Sequence, residues 1–529
     1  MVTSGKESET KVLVIGLDGA TWDLIIPWIR EGKLPTFKKL MDNGVYGTLK
    51  STIPPWTVPA WNCMLTGKNP GRLGVFSFIT QREPGSYEFR PYFFINKPKK
   101  NTIVDILSKY GKTVCSINIP TTHYAYEING CMVAGWLYHP SKPLTYPKEL
   151  KSELDDITNG YEIDVEKSRF IHGEGTHIEN TEKFLRDLYR ITEKRAKATE
   201  YLLDKYNWDF FFVVFTGTDR IQHELWENKK EIKRYYQYID KIIAKLLNKI
   251  GNDVILILVS DHGFGPNSRV FNINEWLIEK ELLKLKNLNI KTKMRRILGK
   301  LHLWNLGKYI FPASFRGHIG GKMQTINFEE ANIDWNRTKA YTLPSGVGEI
   351  FINLKGREPE GIIEPGEEYE ELRDWIIKEL KKLSVFDEKE SIKVFKREEI
   401  YFGEYVNRAP DLIIQVNNNI CNINTRIGYG SIFSDGKGGN HRINGIFLAY
   451  GPDIKKGWKI KDAEIVDIAP TILHIMRVPI PKDMDGRVLR EIFKENSELV
   501  RRRIIYQETV DERDRIRKSI KELKALRGE

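Results

Sequence analysis

Three separated segments of the chain end an apolar run in side chains that bind cations, and a fourth carries one just before such a run. The run KVLVIGL leads into Asp18-Gly19, and WDFFFVVFTGTDRIQH sets Asp219 and His223 four residues apart. DVILILVSDHG drives six apolar residues into Asp261-His262, and GKGGNHRINGIFLAYGP holds His441 in a glycine-rich loop just before a strand pattern. Three carboxylates and three imidazoles, without a thiolate, suit a borderline divalent ion: Zn2+ above all, with Mn2+, Co2+ or Fe2+ as alternatives. Six ligands are too many for one open catalytic zinc and about right for two ions. Two ions roughly 4 Å apart can hold the attacking and leaving oxygens of an in-line displacement at phosphorus.

Each residue also has a plainer reading. A lone Asp after a strand is usually a helix cap or Asx turn, and Asp18 alone would be read so. His223 alone reads as a surface helix residue. Asp261-His262 has no structural need to follow six apolar residues. The combination decides, because independent caps would not all be Asp or His at one edge of one sheet.

A metal set needs a nucleophile, and STIPPWTVPAWNCMLTGKNPG supplies Thr57. It follows a Pro-Pro-Trp turn and opens a helix, where backbone N–H groups and the helix dipole favour phosphate. The Val58 N–H is expected to hold a phosphoryl oxygen there. A threonine hydroxyl is a poor nucleophile at neutral pH and needs a metal or a base to deprotonate it. Its plainer reading is an N-cap. Arg408 in NRAPD reads either as an anion contact or as the partner of a local carboxylate. His172 and His177 precede a helix and read as surface loop residues, and His302, His318 and His474 show no ligand spacing.

The elements that must position these residues alternate along the chain. Near-continuous apolar strands joined by amphipathic helices indicate a largely parallel sheet covered on both faces, an α/β fold. In such sheets ligands bind beyond the carboxyl ends of the strands. The catalytic core is expected over residues 1–266 and 336–494. Residues 267–335, Lys- and Leu-rich, read as a strandless helical cap whose LHLWNLGKYIF aromatics suit packing. Residues 495–529 read as a charged helical tail able to pack on the core or on a second copy of the chain.

Composition narrows the classes. With 529 residues, 41% hydrophobic and 29% charged, the chain can bury a large core and is neither disordered nor collagen-like. Its four cysteines lie far apart without a C-x-x-C pair, as expected in a reducing compartment. The N-terminus lacks a signal-peptide pattern, and no stretch approaches the roughly 20 apolar residues of a membrane span. A soluble cytoplasmic protein is expected. The net charge of +12 sits largely on amphipathic faces such as KSIKELKALRG, which suits anionic small molecules better than specific nucleic-acid binding.

Taken together, VLVIGLDGATWD, TVPAWNCMLTGKNPG, VVFTGTDRIQH, VSDHGFGP and GNHRINGIFLAYGP resemble the alkaline phosphatase superfamily. Within it the chain is similar to the type I phosphodiesterase/nucleotide pyrophosphatase family. The resemblance implies one ion on Asp18, Asp261 and His262, shared with Thr57, and a second on Asp219, His223 and His441. It also implies a covalent phospho-threonine intermediate and a phosphodiester or nucleotide substrate. A phosphomonoesterase, a phosphotransferase and a slow phosphate-ester-binding protein are the alternatives. Nucleotide pyrophosphatases commonly carry Asn three residues after the nucleophile, where this chain has Ala60. Sulfatases need C/S-x-P-x-R, and Trp61 stands where that Arg would be.

Overall fold

The computed structural model describes residues 10–77, 79–81, 85–87, 89–91, 101–165, 181–286, 296–297, 332–343, 348–383, 392–416 and 421–508. Among these, a nine-stranded sheet forms the centre of the molecule. Its strands are β1 (Lys11–Leu17), β2 (Val45–Lys50), β3 (Val114–Ile117), β4 (Gly130–Val133), β5 (Thr145–Tyr146), β6 (Phe210–Phe215), β7 (Val254–Val259), β8 (Asn444–Tyr450) and β9 (Trp458–Glu464). They lie in the order β9-β2-β8-β7-β1-β6-β3-β4-β5. β1 is flanked by β6 and β7, both parallel to it, while β8 and β5 run antiparallel to their neighbours.

The apolar runs are continuous because both sheet faces are covered. Leu13, Ile15 and Leu17 of β1 enter one core, packed by α1 (Trp22–Arg30), α2 (Pro35–Asn43), α4 (Thr181–Lys205) and α6 (Lys229–Lys249). Val12 and Val14 enter the other, with α3 (Thr57–Thr66) and α7 (Ile468–Ile475). Each fully buried Val, Leu or Ile contributes about 1.5–3 kcal/mol. Gly16 lets α3 approach the sheet: a Cβ there would lie 2.5 Å from the Trp61 ring and 2.9 Å from Val214. That contact seats the helix that begins at Thr57. No helix among the described residues is long and apolar enough to cross a membrane.

The structure differs from the expected organisation in the second half of the chain. GEIFINLKG and DLIIQV do not extend the central sheet. Glu349–Ile352 and Leu412–Val416 pair antiparallel with each other and join Ala340–Tyr341 and Ile392–Lys396 in a separate four-stranded sheet. With the helix Glu367–Lys381 this sheet encloses its own core, including Ile350, Ile352, Ile376, Leu412 and Ile414. These short strands are buried along their whole length, so they read like core strands. The expected cap begins instead with a strand, Arg269–Asn272, and a helix, Ile273–Glu279, that pack into this accessory core. Most of the remaining cap, with His302, His318 and LHLWNLGKYIF, lies outside the described residues. In the tail, the described part holds a four-residue helix, Glu498–Arg501, and then Tyr506–Gln507 pairs with Ile480–Pro481. KSIKELKALRG falls outside it.

The accessory unit is pinned by Asp411, which is fully buried. Its Oδ1 and Oδ2 accept from Arg357 at 2.8 and 2.6 Å, and Oδ1 also accepts from Arg397 at 3.1 Å and Tyr369 at 2.6 Å. Burial opposes ionisation, but Arg357 and then Arg397 outweigh it and hold the carboxyl below its usual range. Asp411→Asn leaves two guanidinium groups short of a counter-charge. It should lower stability by about 3 kcal/mol, read as a drop in the urea midpoint. The same unit braces the loop before Thr57: the Tyr401 hydroxyl donates to the Ile53 carbonyl at 2.6 Å, and Asn69 donates to Ile400 at 3.1 Å.

Candidate active site

β1, β6 and β7 run parallel, so their carboxyl ends share one edge of the sheet. Asp18 follows β1 directly. β6 feeds α5 (Gly217–Leu225), whose first turn carries Asp219 and whose next turn carries His223. β7 runs through Ser260 into Asp261 and His262. His441 arrives from the far end of the chain because Gly439–Arg442 pairs antiparallel with Gly263–Pro266, which sets it opposite Phe264. α5 is tied to the end of β1 by two bonds, Thr218 Oγ1 donating to the Asp18 carbonyl at 2.6 Å and Gln222 to that of Gly19 at 2.9 Å.

Gly19 is needed at its position. Its φ is +66°, and a Cβ would lie 3.3 Å from both Asp219 Oδ1 and the His262 ring. Its N–H donates to Asp261 Oδ1 at 3.1 Å.

The six side chains meet around one centre. His262 Nε2 lies 3.3 Å from Asp261 Oδ2, 3.5 Å from Asp18 Oδ1 and 4.0 Å from Asp219 Oδ1. Asp219 Oδ1 lies 3.3 Å from His223 Nε2 and 3.4 Å from His441 Nε2, and those two nitrogens are 2.9 Å apart. The His262 and His441 rings stack at 3.6 Å. Asp18-Asp261-His262 and Asp219-His262-His441 each bring three ligand atoms within 4.8 Å of one another. His223 lies at the rim, with its side chain 32% exposed.

The donor pattern tests whether cations fit. His441 Nδ1 lies 3.0 Å from the Pro55 carbonyl and His262 Nδ1 3.0 Å from that of Gly263. A carbonyl only accepts, so both Nδ1 atoms carry the proton and both Nε2 lone pairs face the centre. Both oxygens of Asp18, Oδ1 of Asp219 and Oδ2 of Asp261 are buried without a hydrogen-bond partner. Acceptors facing one another without a donor are costly unless a cation lies between them, so the residues fit divalent ions. The electrostatics agree. Burial, reinforced by the neighbouring carboxylates, pushes Asp18 and Asp261 well up. Burial also opposes ionisation of Asp219, but His223, His441 and Arg220 hold it low. Burial pushes His262 and His441 down, which keeps both imidazoles neutral near pH 7, as ligands must be.

Thr57 is buried at the first position of α3, and its hydroxyl lies 3.3 Å from His262 Nε2. The N-cap is Trp56, and no side chain caps the helix, so Thr57 is not the plain cap that its sequence position allows. Pro59 has no N–H and the Ala60 N–H is taken by the Trp56 carbonyl at 2.9 Å. The N–H groups of Thr57 and Val58 are therefore the helix-end donors without an intrahelical partner. Ala60 is packed into the core beneath.

Other candidates lie elsewhere. Arg408 is exposed, its guanidinium 5.0 Å from the centre of the Tyr405 ring. His474 is buried in α7 and donates to the Leu499 carbonyl at 2.8 Å. His172 and His177 lie outside the described residues.

Sequence reasoning missed Arg220 and Asp164. Arg220 Nη1 donates to Asp219 Oδ2 at 2.5 Å, and its Nη2 to Asp164 Oδ2 at 3.0 Å. A signal was present: a cation in the first turn of a helix opposes the dipole and needs a specific partner there.

Known proteins resemble the chain in sequence and in fold. A family model described as type I phosphodiesterase / nucleotide pyrophosphatase matches residues 12–427. Human ectonucleotide pyrophosphatase/phosphodiesterase 5 superposes with a TM-score of 0.53 at 15% identity, covering 92% of this chain and 100% of that one. An inactive Thr-to-Ala variant of the murine protein, in complex with AMP, gives 0.51 at 14% identity, with coverages of 92% and 100%. Phosphonoacetate hydrolase from Sinorhizobium meliloti 1021, in complex with phosphonoformate, gives 0.50 at 15% identity, covering 89% and 96%. A local match of 26% identity over 83 residues joins the chain to the catalytic subunit of GPI ethanolamine phosphate transferase 3 from Mus musculus. It spans 16% of this chain and 8% of that protein.

Proposed function

The chain belongs to the type I phosphodiesterase / nucleotide pyrophosphatase family, and so to the phosphoester hydrolases of the alkaline phosphatase superfamily; from that premise we propose that it hydrolyses phosphodiester or nucleotide substrates through a phosphorylated Thr57. The observation that carries the reading is the Thr57 hydroxyl, buried at a helix N-terminus and turned to His262 Nε2 at 3.3 Å instead of capping the helix. An inactive Thr-to-Ala variant of the murine fold relative, which holds AMP, supports the same role for a threonine.

In this reading Asp18, Asp261 and His262 hold one divalent ion with Thr57, and Asp219, His223 and His441 hold a second, Zn2+ foremost. Such ions lower the pKa of a bound hydroxyl and stabilise charge on a leaving oxygen. The chain's own residues do the rest. Thr57 Oγ1 gives up its proton and bonds to phosphorus as the bond to the leaving oxygen breaks. The N–H of Val58, at the positive end of α3, binds a phosphoryl oxygen. A water then attacks phosphorus on the opposite side and gives up a proton, and as the Oγ1–P bond breaks Thr57 Oγ1 takes a proton back, which regenerates the hydroxyl. Ala60 offers no amide to the phosphoryl group, which leaves that grip to the backbone. The same composition that points to a reducing compartment supports a cytoplasmic location, with all four cysteines buried.

The test is hydrolysis of bis-p-nitrophenyl phosphate and p-nitrophenyl phosphate, with and without chelator. The diester should be cleaved faster, chelator should abolish cleavage, and added Zn2+ should restore it. Cleavage of neither substrate by ion-loaded protein would favour a phosphate-ester-binding protein instead. The local likeness to a phosphoethanolamine transferase supports a second reading, transfer of the phosphoryl group to an alcohol. In that case an added alcohol would raise p-nitrophenol release and appear as its phosphate ester.

A further inference from the structure

Arg220 stands beside Asp219 in sequence and is only 2% exposed. Its two terminal nitrogens are divided between two buried carboxylates, Asp219 Oδ2 at 2.5 Å and Asp164 Oδ2 at 3.0 Å. Asp164 is anchored in turn, since its Oδ1 accepts from the Val165 N–H at 2.8 Å. The guanidinium carbon lies 4.4 Å from the centre of the Trp136 ring. Trp136 packs in one cluster with Val58, the residue after Thr57. A chain of contacts thus runs from Asp164 through Arg220 to Asp219, with Trp136 linking Arg220 to the start of α3.

The two oxygens of Asp219 are consequently unlike. Oδ2 is committed to Arg220, whereas Oδ1 is buried without a hydrogen-bond partner and faces His223 and His441. A carboxylate free on both oxygens can swing or offer both to a cation. One clamped on a single oxygen offers the other in a fixed direction.

We infer that Arg220 is a positioning residue that restricts Asp219 to ligation through Oδ1, keeping a coordination position of the second ion open for substrate. The inference rests on the proposed assignment of that ion. A planar fork is required, because it reaches two carboxylates at once and a lysine ammonium is a single point of charge. Arg220 donates directly to Asp219 and bears on Asp18 through its charge, which a lysine retains, so the larger effect of Arg220→Lys should fall on the second ion.

The test is Zn2+ stoichiometry and affinity of the full-length holoenzyme, measured by competition with a chromogenic chelator, in wild type, Arg220→Lys and Asp164→Asn. Wild type should release two ions. In Arg220→Lys one ion should bind about 10–100-fold more weakly and the other as in wild type, in keeping with the usual effect of a residue that orients a ligand. Turnover should recover as Zn2+ is raised, with the half-saturating concentration shifted by the same factor. Asp164→Asn, which keeps the Arg220–Asp219 contact, should shift the same ion by less. Unchanged affinities for both ions, or equal weakening of both, would overturn the inference. Should the lysine variant not fold, judged by its melt in chelator, Asp164→Asn decides by the same criterion. A wild-type protein that binds no divalent ion would instead refute the proposed function, and the inference with it.

Discussion

Thr57→Ala should lower turnover of an activated phosphodiester by at least about a thousandfold and leave the fold intact. Two observations separate these effects. The hydroxyl is turned to His262 Nε2, so its loss removes the group that would attack phosphorus. It does not cap α3, whose N-cap is Trp56 with no side-chain capping bond, so the stability loss usual for a missing cap should not appear. The melting temperature and the ion content should stay close to wild type. Thr57→Ser, which keeps the hydroxyl, should retain most of the activity. An alanine variant with full turnover would remove the covalent route.

An effect of similar size is expected from Asp261→Asn, with a stability signature that a purely structural residue would not give. Asp261 Oδ1 accepts from the Gly19 N–H, and the asparagine carbonyl can keep that bond. Its amide then stands where the partnerless Oδ2 now faces His262 Nε2 at 3.3 Å. Charge and lone pair are lost while the shape is kept. One ion should be lost, and activity should fall by at least about a thousandfold.

In chelator the sign reverses. Burial, with Asp219 nearby, raises the Asp261 pKa in the folded, ion-free protein. A raised carboxyl supports folding fully only below its unfolded pKa, about 3.9, and that support is lost as pH rises through the native value. As pH rises above about 4, ion-free wild type should therefore lose stability relative to the asparagine variant. Thermal melts in chelator across that range, repeated with Zn2+, provide the check. Saturating Zn2+ should stabilise wild type by several kcal/mol, about 4 for one ion at a thousand times its Kd. The variant should gain less.

The central sheet was legible because two-sided burial writes itself into the sequence. β1, β6 and β7 are buried at nearly every position, and their apolar runs are unbroken up to Asp18, the Thr216-Gly217 turn and Asp261. The rule that parallel strands end at a shared edge then brings these segments together without knowledge of the loops. The accessory unit was hidden by the same pattern. Glu349–Ile352 and Leu412–Val416 are short, fully buried and apolar, and periodicity does not say which sheet such a strand joins. Arg220 was hidden for a different reason: a charged residue on an amphipathic helix is usually solvated, and only the fold shows Asp164 waiting for it. Arg408 illustrates the converse. Its motif allows an anion contact or a local ion pair, and the backbone turn at Val406–Arg408 leaves it exposed beside the Tyr405 ring.

The most direct measurement is anomalous diffraction at the zinc edge from crystals of the ion-loaded protein. The expected result is two peaks at the sheet edge, one among Asp18, Asp261, His262 and Thr57, the other among Asp219, His223 and His441. No peak there, or a single peak that leaves Thr57 or His441 without a role, would contradict it.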